Sequence, residues 1–174
     1  MKDFLTLIKS RQACRKFNDK PLEKGIVENI VEQAMLSPSA CNSQPWKMYV
    51  VTSPEKLKET AVALGSNGHN KFLSEAKAFI VFAEKKAVLK PGVNFDGNHF
   101  VKYDIGELVA YVTLSAKSLG VESCIIGMVD QKLIRSAVPM SNDEECNVAV
   151  ALGYSDIPLR EKIRKDKTEV IAFI

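Results

Sequence analysis

The ten residues 37–46 carry the side chains best suited to recognise a small polar ligand. They include two prolines, three serines, Asn42, Gln44 and the only tryptophan of the chain. The segment is long for a connection that only turns the chain between a helix and a strand. Its hydroxyl and amide groups can both donate and accept hydrogen bonds, as the edge of a flat heteroaromatic ligand requires. We therefore single out Ser39, Asn42 and Gln44 as candidate ligand contacts.

Basic side chains near both ends of the chain have the chemistry to bind a phosphate. Arg11 and Arg15 share a face if their segment is helical, and a guanidinium group matches two phosphate oxygens at once. In the tail, Lys162 and Arg164 alternate as in an extended chain. With the amide of Asn70, these groups suit a mononucleotide. Taken alone, each basic group is also typical of a solvated basic face, and Asn70 is also typical of a turn. The spacing of these residues does not indicate which reaction the protein would catalyse.

Other features argue against several classes of protein. Neither GxGxxG nor GxxxxGK[ST] occurs, which disfavours a Rossmann dinucleotide site and a P-loop. Four cysteines without a CxxC pair and two histidines do not have zinc or iron–sulfur spacing, so no metal is expected. The net charge of +3 is small for a nucleic-acid-binding protein, and no nucleic-acid partner is expected.

The length of 174 residues predicts a single domain, residues 1–174. Charged residues interrupt the N-terminus, which lacks the apolar core of a signal peptide. No apolar run approaches the roughly 20 residues that cross a bilayer, so no membrane partner is expected. Because unpaired cysteines suit a reducing compartment, the predicted location is cytoplasmic.

Hydrophobic periodicity predicts the elements that must position these groups. Helices are predicted over residues 3–10, from Pro21 to residue 35, from Ser53 to residue 64, over 99–119 and over 130–137. Strands are predicted over 46–52, 78–83, 124–127 and 147–152, and residues 85–98 are predicted to be irregular.

Two features indicate a second copy of the chain. The helix over 99–119 has apolar residues on more than one narrow stripe, which suggests that another subunit covers part of it. The tail 168–174 has the composition of a hydrophobic β segment at a chain end. An exposed strand of this kind would be a sticky edge, so we expect it to pair with a second subunit.

These segments together resemble the nitroreductase family of flavin mononucleotide (FMN) enzymes, in order and over nearly the whole chain. Residues 11–17 (RQACRKF) are similar to the family's R-R-S-x-R-x-F opening. Residues 37–46 (SPSACNSQPW) are similar to its [A/S]-P-S-x-x-N-x-Q-P-W signature, which is the specific part. Asn70, the DIG that starts the long helix, the ALGY of residues 151–154 and the basic tail resemble further family motifs.

The resemblance implies an α+β fold with a central, mostly antiparallel sheet flanked by helices. It also implies a homodimer that exchanges C-terminal strands and holds two FMN molecules in its interface. The phosphate and ribityl end would be held by Arg11, Arg15 and either Lys162 or Arg164, with Arg160 left as an alternative. Gln12 and Asn70 would meet the edge of the isoalloxazine ring.

Other parts of the ring are implied to contact two further segments. Pro38, Ser39 and Ala40 of the other subunit would line the ring. The backbone of Ile126 and Gly127 would lie near its reactive face. The full set of implied cofactor-binding residues is Arg11, Gln12, Ala13, Arg15, Pro38, Ser39, Ala40, Asn42, Gln44, Asn70, Ile126, Gly127, Lys162 and Arg164.

The implied activity is a ping-pong transfer of hydride from NADH or NADPH, through FMN, to a small-molecule acceptor such as a nitroaromatic or a quinone. No catalytic side chain is required. Two alternatives stay open: a specialised member (flavin- or cobalamin-related chemistry, or reduction of an alkene or halogenated ring), and a flavin-binding sensor or store without turnover. Neither the acceptor nor the preferred nicotinamide is indicated.

The chain departs from the family pattern at two places. Gln12 and Ala13 stand where Arg and Ser are commoner, and Ala13 cannot supply a hydroxyl, so one hydrogen bond to the ribityl or phosphate group is expected to be lost. In larger members of the family a long insertion forms a wall of the substrate pocket, and in this chain it is reduced to roughly residues 85–98. We therefore expect a substrate site that is open or completed by the partner.

Overall fold

A computed structural model describes residues 3–65 and 68–174. Its strands are β1 (Trp46–Val51), β2 (Ala78–Glu84), β3 (Glu122–Ile126) and β4 (Glu145–Gly153). They form one antiparallel sheet in the order β1-β2-β4-β3. The helices are α1 (Phe4–Ser10), α2 (Ile26–Ala34), α3 (Pro54–Leu64), α4 (Val101–Ser118), α5 (Gln131–Ala137) and α6 (Lys167–Val170).

Strand β2 runs through the centre of the molecule and is buried on both faces. Phe79 and Val81 pack into one layer, with residues of α3 and α5. Ile80 and Phe82 pack into the other layer, with residues of α2 and α4. Burying each such side chain stabilises the fold by about 1.5–3 kcal/mol, so the sheet is held from both sides. An antiparallel sheet flanked by helices confirms the predicted α+β class.

Helix α4 buries one face and exposes the other. Its buried stripe, which includes Leu108 and Val112, covers the sheet. Its outer face exposes two aromatic rings, Tyr103 and Tyr111. Helix α1 buries no residue and exposes Phe4 as well. Apolar surface is therefore available for a partner, and the dimer stays a prediction.

The N-terminal segment 11–18 lies along the free edge of β3. Cys14 N–H donates to the carbonyl of Ser123 at 2.9 Å, and Ala13 pairs with Ser123 in a parallel bridge. Cys14 and Phe17 are buried, and the Phe17 ring lies so close to Gly153 that a Cβ there would stand 2.7 Å from it. The segment is extended, so Arg11 and Arg15 do not share a helical face.

One predicted boundary and one predicted element type are wrong. Helix α2 begins at Ile26, not near Pro21, because Gly25 turns the chain with φ 80° directly before it. The tail is not a β segment from residue 168, because α6 forms there. The Asp166 carboxylate accepts from Thr168 N–H at 2.9 Å, and Glu169 accepts from Asp166 N–H, which together make a capping box. The exchange of C-terminal strands stays a prediction.

The remaining helices and strands lie where they were predicted, within a few residues. Ser53 is the N-cap residue of α3, but its side chain makes no capping hydrogen bond. None of the helices in the described ranges is long and apolar enough to cross a membrane.

Candidate functional site

The basic tail returns to the N-terminal edge segment and places four cations together. Arg160 donates from its guanidinium to the carbonyl of Ala13 at 2.6 Å. Lys162 Nζ donates to the carbonyl of Arg11. Arg164 follows on the same stretch, and all of these residues line one open cavity of about 340 Å³. The structure thus brings Arg11 together with all three tail cations, Arg160, Lys162 and Arg164, which the sequence had left as alternatives; that they hold a phosphate stays a prediction.

The electrostatics of Lys162 show how concentrated this positive charge is. Burial lowers the pKa of Lys162, and the charges of Arg11, Arg164, Arg160 and Lys117 lower it further. Among residues 3–65 and 68–174, no carboxylate forms an ion pair with any of the four tail and edge cations. A bound anion would relieve this repulsion, so the cation cluster (Arg11, Arg160, Lys162 and Arg164) has the character of a phosphate site.

Arg15 lies beside this cluster on the same edge segment. It lines a second, smaller cavity of about 140 Å³ together with Gln12, Ala13 and Arg160. The charges of Arg15, Arg11 and Arg160 act against the burial that raises the pKa of the Cys124 thiol on β3. Arg15 therefore contributes to the same positive region.

Gln12 attaches the tail to the edge segment, a contact that was not predicted. Its amide oxygen accepts from Arg160 N–H at 3.1 Å, and its amide nitrogen donates to the carbonyl of Pro158 at 3.3 Å. Both ends of the amide therefore attach the tail to the edge segment. A contact between Gln12 and the isoalloxazine ring stays a prediction. The structure shows instead the hydrogen bond between Gln12 and Arg160, which lies 148 residues further along the chain.

The loop 37–46 is held largely by bonds within itself. Gln44 N–H donates to Ser39 Oγ at 3.0 Å, and the Gln44 amide donates to the Asn42 side chain at 3.2 Å. Cys41, Asn42 and Gln44 all have positive φ, at 51°, 55° and 46°. The polar groups singled out from the sequence therefore shape the loop, and Pro38, which is exposed, forms part of its outer surface.

Asp104, the first residue of the DIG motif in the long helix, anchors this loop, a role that the motif alone did not indicate. Asp104, in the first turn of α4, is only 4% exposed. Its Oδ1 accepts from Ala40 N–H at 3.0 Å, and its Oδ2 is buried without a hydrogen-bond partner. Two signals in the sequence pointed to this residue: the DIG motif, and an aspartate among the apolar positions of a helix.

Asn70, Ile126 and Gly127 occupy three distinct settings. Asn70 is left-handed (φ 56°, ψ 39°), precedes the 3₁₀ turn Lys71–Glu75, and makes no capping bond with its side chain. Ile126 is 3% exposed and packs in the core, so only its backbone is available to a ligand. Gly127 has open space beside it, because no atom lies within 4 Å of a Cβ built there.

Another cavity in the described chain is larger than the one at the cation cluster. It is a groove of about 890 Å³ between α3, α5 and the turn 71–75, with Asn70 on its wall. None of the cations at the β3 edge lines it. A search by cavity size alone would therefore have selected this groove and not the cation cluster, whose charges match a phosphate.

Within one chain, the cation cluster and the loop 37–46 are far apart. The cluster lies at the free edge of β3, and the loop leads into β1 at the opposite edge of the sheet, about 14 Å away at the usual strand spacing. Asp104 at one end of α4 holds the loop, and Lys117 near the other end lies close to the cluster. The rise of an α-helix separates these two residues by about 20 Å. A single chain thus carries two separate halves of the predicted site.

Comparison with known proteins decides the family. The model of the nitroreductase family matches residues 8–154, which is most of the chain. The chain belongs to the nitroreductase family. A 4-nitrobenzoate reductase of Pseudomonas putida is 25% identical over 88% of this chain and 86% of its own length.

Solved structures of the nitroreductase family share the fold. A nitroreductase family protein from Streptococcus pneumoniae TIGR4 superposes with a TM-score of 0.84 over 99% of this chain and all of its own, at 24% identity. An FMN-dependent nitroreductase from Clostridium difficile R20291 has a TM-score of 0.79 over 98% of each chain, at 25% identity. The predicted nitroreductase fold is confirmed, and an oxidoreductase role is supported by the family.

Proposed function

We propose that this chain is an FMN-dependent NAD(P)H oxidoreductase that works as a homodimer. The observation that carries the proposal is the cation cluster, which gathers four cations around one cavity; Glu161 also lines that cavity, but no ion pair links a carboxylate to Lys162 among the described residues. A terminal phosphate dianion matches that donor set. The side chain of Asn70, which makes no capping bond, and the open space at Gly127 suit a flat polar ring beyond the phosphate.

Each part of the chain has a defined task in this proposal. The cluster binds the phosphate, Gln12 keeps the tail in place, and Arg15 extends the positive region toward β3. Bound FMN would supply the hydride chemistry between NADH or NADPH and a small-molecule acceptor such as a nitroaromatic or a quinone. The side chains bind and orient, and none of them needs to act as a nucleophile.

The separation of the two half-sites supports the homodimer. In a twofold dimer formed through the exposed face of α4 with its axis perpendicular to that helix, the two copies of the helix run antiparallel. The N-terminal end of one α4, with its attached loop 37–46, then lies beside the C-terminal end of the other, with its cation cluster. Pro38, Ser39 and Ala40 of one chain would complete the site of the other.

An absorption spectrum of the purified protein, before and after anaerobic addition of NADH or NADPH, tests the function. We expect flavin bands that bleach on reduction. Bands that persist would replace the reductase with a flavin-binding protein that does not use nicotinamides. No bands, even after incubation with FMN and desalting, would overturn the proposal.

Arg11→Ala tests the phosphate site more directly. We expect it to lower the FMN retained after desalting, because a charge-assisted hydrogen bond to the phosphate is lost. Lys165→Ala is a matched control, since Lys165 is an exposed tail cation that does not line the cavity. Equal FMN content in wild type and Arg11→Ala would remove Arg11 from the site.

A further inference from the structure

Asp104 is a buried carboxylate whose cost to the fold is not offset by its contacts within the chain. It accepts one hydrogen bond, from Ala40 N–H at 3.0 Å, and its second oxygen is buried without a partner. A buried carboxylate destabilises a fold unless its oxygens are paired or hydrogen-bonded. An apolar side chain would pack at this position more favourably, so the carboxylate is better explained by what it holds.

What it holds is the start of a short turn. Ala40 is the first residue of the 3₁₀ turn Ala40–Asn42, and its N–H has no partner inside that turn. Ser39 stands at the N-cap position but makes no capping bond, because its hydroxyl accepts from Gln44 instead. Asp104, 64 residues away, therefore takes the place of the missing cap.

The loop needs such an external hold. Three of its residues other than glycine have positive φ, a conformation that costs roughly 1–2 kcal/mol for each residue. Among the described side chains outside residues 37–46, that of Asp104 is the one that hydrogen-bonds to the loop. The conformation is thus imposed from α4 as well as by the loop itself.

We propose that Asp104 is a positioning residue for the cofactor site: it holds Pro38, Ser39 and Ala40 in the conformation that this segment presents to the FMN ring of the other subunit's site. The inference rests on the proposed function, and it goes beyond it by assigning a task to a residue that touches neither ring nor phosphate. Asp104 also links the loop to the helix that the dimer would use.

Two substitutions break the same hydrogen bond from its two ends. Asp104→Ala removes the acceptor. Ala40→Pro removes the donor, and the backbone tolerates it, because Ala40 is the first residue of a helical turn and Ser39 before it is extended (φ −154°, ψ 156°). Asp104→Asn keeps an acceptor oxygen and nearly the same volume. Thr113→Val is the control on α4, since Thr113 is equally buried and its hydroxyl bonds only within the helix.

The first readout is hydrogen exchange of the loop 37–46 in the flavin-free protein. We expect Asp104→Ala and Ala40→Pro to speed exchange of the loop amides by about tenfold or more, while β2 stays protected. The second readout is the FMN dissociation constant, which should rise by about tenfold in both variants and by less than about threefold in Asp104→Asn. Thr113→Val should match the wild type in both.

The outcomes separate this inference from the proposed function. Unchanged loop exchange and FMN affinity in Asp104→Ala would overturn the positioning role, and so would an equal loss in Thr113→Val. Failure of Asp104→Asn to rescue would show that the hydrogen bond is not what matters. If the wild type binds no FMN, the proposed function fails by itself, while the exchange data still decide whether Asp104 holds the loop.

Discussion

Replacing Lys162 by methionine should weaken FMN binding strongly and leave the flavin-free protein about as stable as before. In the structure, Lys162 donates one hydrogen bond, to the carbonyl of Arg11, and its pKa is lowered by burial and then by the other cations around it. The substitution removes that bond and that repulsion together. Methionine keeps the length of the aliphatic stem, so packing changes little.

The expected magnitudes follow from these contacts. Loss of the bond to Arg11 costs about 0.5–1.5 kcal/mol, and relief of repulsion at a part-exposed site returns roughly 0.2–1 kcal/mol. The stability of the flavin-free protein should therefore change by less than about 1.5 kcal/mol. A charge-assisted hydrogen bond to the phosphate is worth about 1.5–3 kcal/mol, so the FMN dissociation constant should rise roughly 10- to 150-fold.

Fluorescence titration with FMN and with riboflavin, which lacks the phosphate, measures this effect selectively. Lys162→Met should lose affinity for FMN and bind riboflavin as the wild type does. Lys165→Met, which changes an exposed lysine outside the cavity, should change neither affinity. An equal loss for both ligands would refute the phosphate assignment, and so would an unchanged affinity for FMN.

Three further predictions concern other parts of the chain. Ala13→Ser should tighten FMN binding several-fold, because it supplies the hydroxyl that is common in the family and a hydrogen bond from it contributes about 0.5–1.5 kcal/mol. An equal or weaker affinity in a titration with FMN would show that residue 13 does not face the cofactor. Cys41 is exposed and the other cysteines are buried, with the pKa of Cys146 raised to about 11, so a thiol reagent should label one cysteine rapidly and none in Cys41→Ser. Burial raises the pKa of Glu144, but hydrogen bonds from Tyr49 and from the backbone and side chain of Ser141 outweigh this effect and hold the pKa below 4.5. The stability that the Glu144 carboxylate contributes is therefore present above pH 4.5 and is lost as the pH falls through its folded-state pKa. Urea unfolding of Glu144→Gln should accordingly depend less on pH between 6 and 3 than that of the wild type.

Most helices and strands could be predicted because their signals are local. The continuous apolar run of β2 and the helical spacing of α4 report burial directly, and the structure places both within about two residues of prediction. Helix α2 and the tail were misjudged for local reasons too. Gly25 before α2, and the Asp166 capping box in the tail, were signals present in the sequence but outweighed by proline and by β-type composition.

The site was predictable only in part, because its contacts join distant residues. The bond between Gln12 and Arg160 spans 148 residues, and that between Ala40 and Asp104 spans 64. No local spacing reports such contacts. The sequence therefore offered Lys162, Arg164 and Arg160 as alternatives, whereas the folded tail places all three around Arg11.

The sequence by itself determined the family, the order of the elements from α1 to β4 and the kinds of group available to a ligand, because these follow from local patterns of polarity and from motifs. Only the tertiary structure decided that the extended edge of β3 gathers the cations and that the loop 37–46 lies at the other edge. It also decided that a buried aspartate on α4 holds that loop. These outcomes depend on how the sheet is ordered and how the helices pack on it, which places residues far apart in sequence at contact distance.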